Sequence, residues 1–300
     1  MPDFDLSITI CSWNAVEDLR RCLASLRERT GETKFEVIVV ENNSEDGSGD
    51  MCRAEFPEFT CLQQTQNLGF TGGHNLARSH IQGRHWFPLN SDTVVHEGAL
   101  AKLVAFADSR PDVGVVGPKL LNGDGSLQYS CRRFPNPVAA AFRNTFLGRI
   151  FPNNRFTREY LMRDMDHKAT CEVDWVSGAA ILITETALPH LGQFDPEFYM
   201  FCEDVDICRR SWDIGLKVVY FPEAEITHLI GRSTDKAPKA MTWRFHRSML
   251  LYYRKHMVSK LPRWVRPFAV FGAATALSLR ASTFLLKNKV QEWKRALRRG

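Results

Sequence analysis

The chain has no C-x-x-C pair. Its eight cysteines, at 11, 22, 52, 61, 131, 171, 202 and 208, are scattered. That spacing argues against a zinc ribbon or a thioredoxin-like centre and suits a reducing cytoplasm. Neither G-x-x-x-x-G-K-[ST] nor G-x-G-x-x-G occurs, so a P-loop and a dinucleotide fingerprint are both excluded. The N-terminus, MPDFDLSITI, has no basic leader before an apolar run, and no signal peptide is expected. Apolar residues near the C-terminus run unbroken by charge for only 13 positions, Pro267 to Leu279. A bilayer span needs about 20, and Arg280 would be costly at mid-bilayer. Acid is almost missing from Met241 onward: 14 residues are Lys or Arg and only Glu292 is acidic. With a net charge of +5 for all 300 residues, the first 240 carry −8 and the tail +13. An acidic body with a basic tail points to an anionic surface as the tail's partner. Nothing else in the sequence supports nucleic-acid binding.

What is present is globular, with 44% apolar and 24% charged residues. The first 120 residues alternate between strand-like and helix-like patterns. Leu6 to Cys11 and Phe35 to Val40 read as buried strands of a parallel sheet. Val16 to Arg29 places Leu19, Cys22, Leu23 and Leu26 at helical spacing. Helices are also expected at Asp50 to Phe56, Asn75 to Gln82 and Gly98 to Ser109, and strands at Thr60 to Gln64, His85 to Leu89 and Val113 to Val116. Such repetition implies an α/β sheet, with ligands at the carboxyl ends of its strands. Three polar clusters follow strands and should meet in one crevice: Ser12-Trp13-Asn14, Glu41 to Ser44, and Asn90-Ser91-Asp92. Residues 122–170 have weak periodicity and read as an excursion or flexible lobe over the site. Order returns at Val173 to Ile183, then a helix near Thr184 to Leu191 and a strand at Lys217 to Phe221.

The segment from Gln193 to Arg210 packs Glu203, Asp204 and Asp206 behind Phe198, Tyr199, Met200 and Phe201. Carboxylates at the edge of an apolar cluster acquire the environment-dependent proton affinity that a general base needs. Asp92, at a strand end, has the chemistry to ligate a cation that also binds phosphate, although Asn, Ser and Asp equally suit a turn. His228 follows a strand and a polar loop, as a ligand from a second segment would, and also as a hydrogen-bonded core histidine would. The glycines of Asn67 to Asn75 signal either a tight turn or a close backbone approach to a ligand.

As a set, these pieces resemble the inverting family 2 glycosyltransferases of the GT-A fold, especially the rhamnosyltransferase-like branch. The matching stretches are ITICSWN, VIVVENNSEDGS, NLGFTGGHN, LNSDTVV, VGVVGPKLLNGDGSLQ, VDWVSGAAILI, FDPEFYMFCEDVDICRR and VVYFPEAEITHLIGRS, in that order. The resemblance implies a Rossmann-like, mostly parallel sheet flanked by helices. It implies nucleotide-sugar contacts from Cys11, Ser12, Trp13, Asn14, Glu41, Asn42, Asn43, Ser44, Asn67, Gly69, Asn90 and Ser91. Asp92 and His228 would hold a divalent cation, Mg²⁺ or Mn²⁺. Asp204 would be the catalytic base, with Glu203 its neighbour. Trp175, Ser177 and Gly178 would shape the sugar and acceptor pocket. Two departures from the family pattern stand out: Glu41 replaces the usual Asp, and Asn90-Ser91-Asp92 reduces the D-x-D motif to one strong acid.

The expected reaction is metal-dependent, inverting transfer of a sugar from a nucleotide-diphosphate donor, with dTDP-rhamnose favoured. The expected acceptor is a glycan or polyprenyl-linked glycan in bacterial surface-polysaccharide synthesis. Residues 1–240 are read as the catalytic domain. Residues 241–300 are read as a basic, amphipathic helical extension holding the protein on the inner face of the cell membrane. Rival readings are a nucleotidyltransferase, which would be expected to show a glycine-rich phosphate loop, and a non-catalytic membrane scaffold, against which the intact Asp92, Asp204 and His228 speak.

Overall fold

A computed structural model describes residues 3–29, 31, 33–136, 139, 142, 146–229 and 238–297. The amino-terminal part runs β1 (Phe4–Ser12), α1 (Val16–Arg27), β2 (Phe35–Glu41), α2 (Ser48–Glu55), β3 (Thr60–Gln63), α3 (Gly69–Arg78) and β4 (Gly83–Asn90). Next come β5 (Thr93–Val95), α4 (Ala99–Ser109), β6 (Val113–Leu121), β7 (Leu127–Gln128), β8 (Cys131–Arg132), α5 (Phe146–Ile150) and α6 (Arg155–Tyr160). The remainder is β9 (Cys171–Glu172), β10 (Trp175–Val176), β11 (Leu182–Ile183), α7 (Leu188–Leu191), α8 (Glu203–Asp213), β12 (Lys217–His228), α9 (Pro238–His256) and α10 (Arg266–Leu297).

The main sheet has the order β3-β2-β1-β4-β11-β6-β12-β5. The first four strands are mutually parallel, and so are β6 and β12. Strands β5 and β11 run against their neighbours. In-register pairing of β1 with β2 and β4 sets Ser12 opposite Glu41 and Cys11 opposite Asn90, so the three polar clusters emerge at one edge. Alternation along the strands feeds two cores. One face takes Ile8, Ile10, Val37, Phe87 and Leu89 against α1, α2 and α4. The other takes Trp86, Ile183, Phe194, Phe198 and Tyr220 against α8. Helix α1 buries the expected Leu19, Cys22, Leu23 and Leu26. Ala15 gives its N-terminus no side-chain cap, and Asp46 from the β2–α2 loop accepts from Val16 N at 2.9 Å instead.

Two expectations need correction. The helix placed at 75–82 runs from Gly69 to Arg78, so the glycines lie inside it. They serve close packing against protein: a Cβ on Gly73 would stand 2.5 Å from Cys11 Sγ, and one on Gly69, at φ +74°, 2.6 Å from the Tyr199 carbonyl. The described part of the excursion between β6 and β9 packs into the body rather than over the site. Cys131, Tyr160 and Met162 are buried in the second core, and none of the described residues from 129 to 170 lines the cleft described below.

The basic region begins with a helix seated on the body. Ser248 Oγ in α9 donates to the Met200 carbonyl at 2.8 Å, and Phe245 meets Phe201 edge-on. Asp206, fully buried in the first turn of α8, pairs with Arg210 (2.9 Å), Lys255 (2.7 Å) and His256 (2.7 Å). Against the opposing effect of burial, the hydrogen bonds from His256 and Lys255 and the charges of Arg210 and Lys255 hold its carboxyl below the usual range. Two of the three partners come from α9, so Asp206 ties α9 to the body. Without Asp206 the buried His256 ring loses its Nε2 partner, whereas Lys255 keeps Asp195 and Arg210 keeps the Leu191 and Gln193 carbonyls. Asp206→Ala is therefore expected to cost about 1–3 kcal/mol in urea unfolding, the penalty of one unsatisfied buried polar group; no measurable loss would contradict this role.

Candidate functional site

At the carboxyl edge of the sheet lies a cleft of about 280 Å³. One wall is Cys11, Trp13, Asn42, Asn67, Gly69 and Phe70. Its floor is Asn90, Ser91 and Asp92, with His228 beside them. The opposite wall is Ser177, Gly178, Ala179, Glu203 and Asp204. Tyr199, Met200 and Phe201 close it together with Met241 and Arg244 of α9.

Sheet geometry brings Asp92 and His228 together from 136 residues apart in the chain. Antiparallel pairing of β5 with β12 sets His228 opposite Thr93, and Leu229 N donates to the Asp92 carbonyl at 2.9 Å. His228 Nε2 then lies 3.4 Å from Asp92 Oδ1 and 3.3 Å from Asn90 Nδ2. Gln128 clamps the ring from behind. Its Oε1 is 2.7 Å from His228 Nδ1, and its Nε2 donates to the His228 carbonyl at 3.1 Å. Nδ1–H donation to Gln128 leaves Nε2 as the ring nitrogen turned toward Asp92, the one that would ligate a metal. Asp92 is 5% exposed, and no Lys or Arg pairs with it among the described residues. A carboxylate and an imidazole whose donor atoms are a little over 3 Å apart fit as neighbouring ligands of one divalent cation, with other positions open to phosphate oxygens. Among the described residues no third His, Cys, Asp or Glu joins them.

The Glu203–Asp204 pair is built differently. Phe201 (φ +70°) and Cys202 (φ +66°) both adopt left-handed backbone just before α8. Such strain in non-glycine residues persists where the surroundings enforce it, often at functional sites. It turns Glu203 and Asp204 into the cleft at the amino end of the helix. Asp204 Oδ2 accepts from Gly178 N at 2.9 Å and Oδ1 from its neighbour Val205 N at 2.8 Å. Gly178 permits that approach, since a Cβ there would lie 3.2 Å from Asp204 Cβ. Glu203 Oε2 is buried with no hydrogen-bond partner among the described residues. Burial raises the proton affinity of both acids, far more for Glu203, whose shift the Asp204 charge reinforces. The two N–H donors oppose the rise at Asp204, so of the two acids Glu203 has the stronger tendency to hold a proton.

Thirteen of the residues singled out in the sequence therefore share this cleft: Cys11, Trp13, Asn42, Asn67, Gly69, Asn90, Ser91, Asp92, Ser177, Gly178, Glu203, Asp204 and His228. Six others lie outside its lining. Ser44 Oγ accepts from Asn14 N, Asn14 Oδ1 from Glu45 N, and Glu41 Oε1 from Ser44 N, which binds the two loops to each other. Glu41 also accepts from Gln63. Ser12 is fully buried, Asn43 is exposed, and the Trp175 indole donates to the Arg133 carbonyl at 2.8 Å. Sequence reasoning did not single out Gln128, Tyr199, Met241 or Arg244 for the site. The Tyr199 hydroxyl donates to Asn67 Oδ1 at 2.9 Å, and the Arg244 guanidinium sits 4.3 Å over its ring. The only advance signal for Tyr199 was its place in the aromatic run before the acids. Arg244 had none, because its approach depends on how α9 docks. The last four residues of the stretch VVYFPEAEITHLIGRS, Ile230 to Ser233, lie outside the described residues.

The Glu203 proton has a consequence for stability. A carboxyl whose proton affinity is raised on folding lowers stability as pH climbs above its unfolded value, because the unfolded chain then releases the proton more readily. Glu203→Gln, which mimics the neutral acid, is expected to melt above the parent protein at neutral pH. The gap should narrow as pH falls below about 4.3, the ordinary Glu value. A gap that is constant with pH would contradict a protonated Glu203.

Comparison with known proteins follows this geometry. The model of "Glycosyltransferase like family 2" matches residues 2–264. The N-acetylglucosaminyl-diphospho-decaprenol L-rhamnosyltransferase of Mycobacterium tuberculosis is 27% identical over 258 residues, covering 82% of this chain and 83% of that protein. Rhamnosyltransferase WbbL of Escherichia coli is 26% identical over 200 residues, covering 64% and 72%. Among solved structures, the mannosyltransferase PcManGT of Pyrobaculum calidifontis, in complex with GDP-Man and Mn²⁺, superposes with a TM-score of 0.58 at 17% identity, over 96% of this chain and 80% of that one. The matched stretch includes Asp92, His228, Glu203, Asp204 and all of α9, and the chain belongs to the family 2 glycosyltransferases, with their GT-A fold.

Proposed function

We propose that this glycosyltransferase moves L-rhamnose from a dTDP-linked donor, with inversion, onto a glycan or polyprenyl-diphosphate-linked acceptor in bacterial surface-polysaccharide synthesis. The observation that carries the reading is the sharing of one cleft by the Asp92–His228 edge and the Glu203–Asp204 pair. The printed names of the two rhamnosyltransferase relatives support the sugar, and the mycobacterial name supports a lipid-diphosphate acceptor.

In this reading Asn42, Asn67 and Trp13 bind the nucleoside at the β1–β2 side of the cleft. Asp92 and His228 would hold Mg²⁺ or Mn²⁺, with Gln128 orienting the histidine ring. The cation, when bound, offsets the charge that builds on the departing diphosphate. Arg244 adds a second positive charge at the cleft, held in place by Tyr199. Asp204 accepts the proton of the acceptor hydroxyl as that oxygen attacks the anomeric carbon. The bond to the diphosphate breaks on the opposite face, its electron pair leaving on the phosphate oxygen. One displacement gives inversion, as in inverting glycosidases, with an acceptor in place of water. The neutral Glu203 adds no second negative charge beside the base. The protein would work on the cytoplasmic face of the cell membrane, held there by its basic extension.

The test pairs binding with turnover. The parent chain and Asp204→Asn are both expected to show a Mn²⁺-dependent rise in melting temperature with the donor nucleotide sugar. The variant should lose about 10²–10⁴-fold in turnover. Near-normal turnover would remove Asp204 from the base role; no thermal response to any of UDP-, GDP- or dTDP-sugars would count against the donor site.

A further inference from the structure

Helix α10 presents two unlike faces. Toward the body it packs on α9: Ala281 is fully buried, and Arg280 is half-buried, near enough to His246 and Tyr160 for its charge to act on both. On the opposite face Phe268, Phe271, Leu279 and Leu286, preceded by Trp264, recur at steps of three, four and seven or eight residues. All five are between 64% and 76% exposed, the most exposed large apolar side chains among the described residues. Thr275 and Ser282 fill the gaps in this stripe and are exposed too. By length and composition Arg266–Leu286 also qualifies as a membrane-crossing helix, although only 6% of that window is buried in the protein.

Crossing conflicts with the packing. To span a bilayer, α10 would have to leave α9 or carry α9 into the lipid. Helix α9 is held by the buried Asp206 cluster and by Ser248, and it supplies Met241 and Arg244 to the catalytic cleft. The packed face of α10 is therefore committed, and only the outer stripe is free to meet a partner. Charge indicates which partner. Between Met257 and Leu286 there are four cations, Lys260, Arg263, Arg266 and Arg280, and no acid. Two copies meeting through this face would bring like charges together, whereas an anionic lipid surface would complement them.

We infer that α10 lies in the plane of an anionic bilayer, its Trp264–Leu286 stripe sunk into the headgroup–acyl boundary while its inner face stays on α9. An interfacial helix of this kind inserts about 5–10 Å. Basic residues at its ends meet lipid phosphates, and the aromatic residues sit at interfacial depth. Because α9 touches both α10 and the cleft, this orientation sets the cleft at a constrained height above the lipid surface. The inference stands apart from the identity of the sugar, since it concerns only the lipid contact.

The experiment is co-sedimentation of the full-length chain with phosphatidylcholine vesicles, with and without phosphatidylglycerol. The parent protein should pellet with the anionic vesicles and be released by alkaline carbonate. The combined variant Phe268→Ser, Phe271→Ser, Leu279→Ser should bind about tenfold more weakly. It should also keep the parent melting temperature and nucleotide-sugar turnover, since all three side chains are exposed and outside the cleft. Equal binding by the variant would overturn the stripe as the contact. Carbonate-resistant retention would overturn the in-plane orientation in favour of a span. No vesicle binding, together with a dimer in analytical centrifugation that the variant splits, would assign the face to a second copy.

Discussion

Three carboxylates within one helical turn, two of them buried, cannot all remain uncompensated anions. At the start of α8 the chain resolves this in two ways. Asp206 is compensated by Arg210, Lys255 and His256 and stays charged. Glu203 and Asp204 receive no cation at hydrogen-bonding distance among the described residues; burial raises the proton affinity of Glu203 most, and Asp204 is steadied by two backbone N–H groups. The same helix start thus yields a structural anchor and a reactive acid. Much of the remaining architecture follows from the anchor. Because two of the Asp206 partners lie on α9, that helix must sit against the body. From there it can place Arg244 over Tyr199 and provide a seat for α10.

The Asp92–His228 edge rests on a separate constraint, the antiparallel turn-back of β5 along β12. A register slip of one residue would put His228 on the other side of the strand and part it from Asp92. Gln128 reinforces the register by bonding both the ring and the carbonyl of His228. The two chemical centres are therefore set by different parts of the fold, strand pairing for one and a strained helix start for the other. They meet because both lie at the carboxyl edge of one sheet, where a diphosphate and a sugar can bridge them.

Local patterns made much of this legible. Runs such as FEVIVV can only be central strands, and the polar residues after them had to emerge at one edge, so Cys11, Asn42 and Asp92 were foreseeable as neighbours. The acids at 203 and 204 were marked by the apolar residues around them. What stayed hidden depends on long-range packing. The glycines of α3 looked like loop or ligand contacts because the crowding by Cys11 and Tyr199 that requires them comes from distant residues. Asp206 looked equivalent to its neighbours until α9 supplied its cations. Glu41 and Ser44 sit in the expected loop, yet bond to protein groups, and spacing does not report side-chain direction. The exposed stripe of α10 was masked because Arg280 interrupts the apolar run in sequence, while in the folded chain it turns toward His246, away from that stripe.

The central claim is a single displacement at the anomeric carbon, with Asp204 as base opposite a diphosphate held at Asp92 and His228. The most direct measurement is the anomeric configuration of the product by NMR, formed from a donor of known configuration. Inversion is the expected result. A retained configuration would contradict the claim, because it would require a second displacement for which this assignment provides no nucleophile.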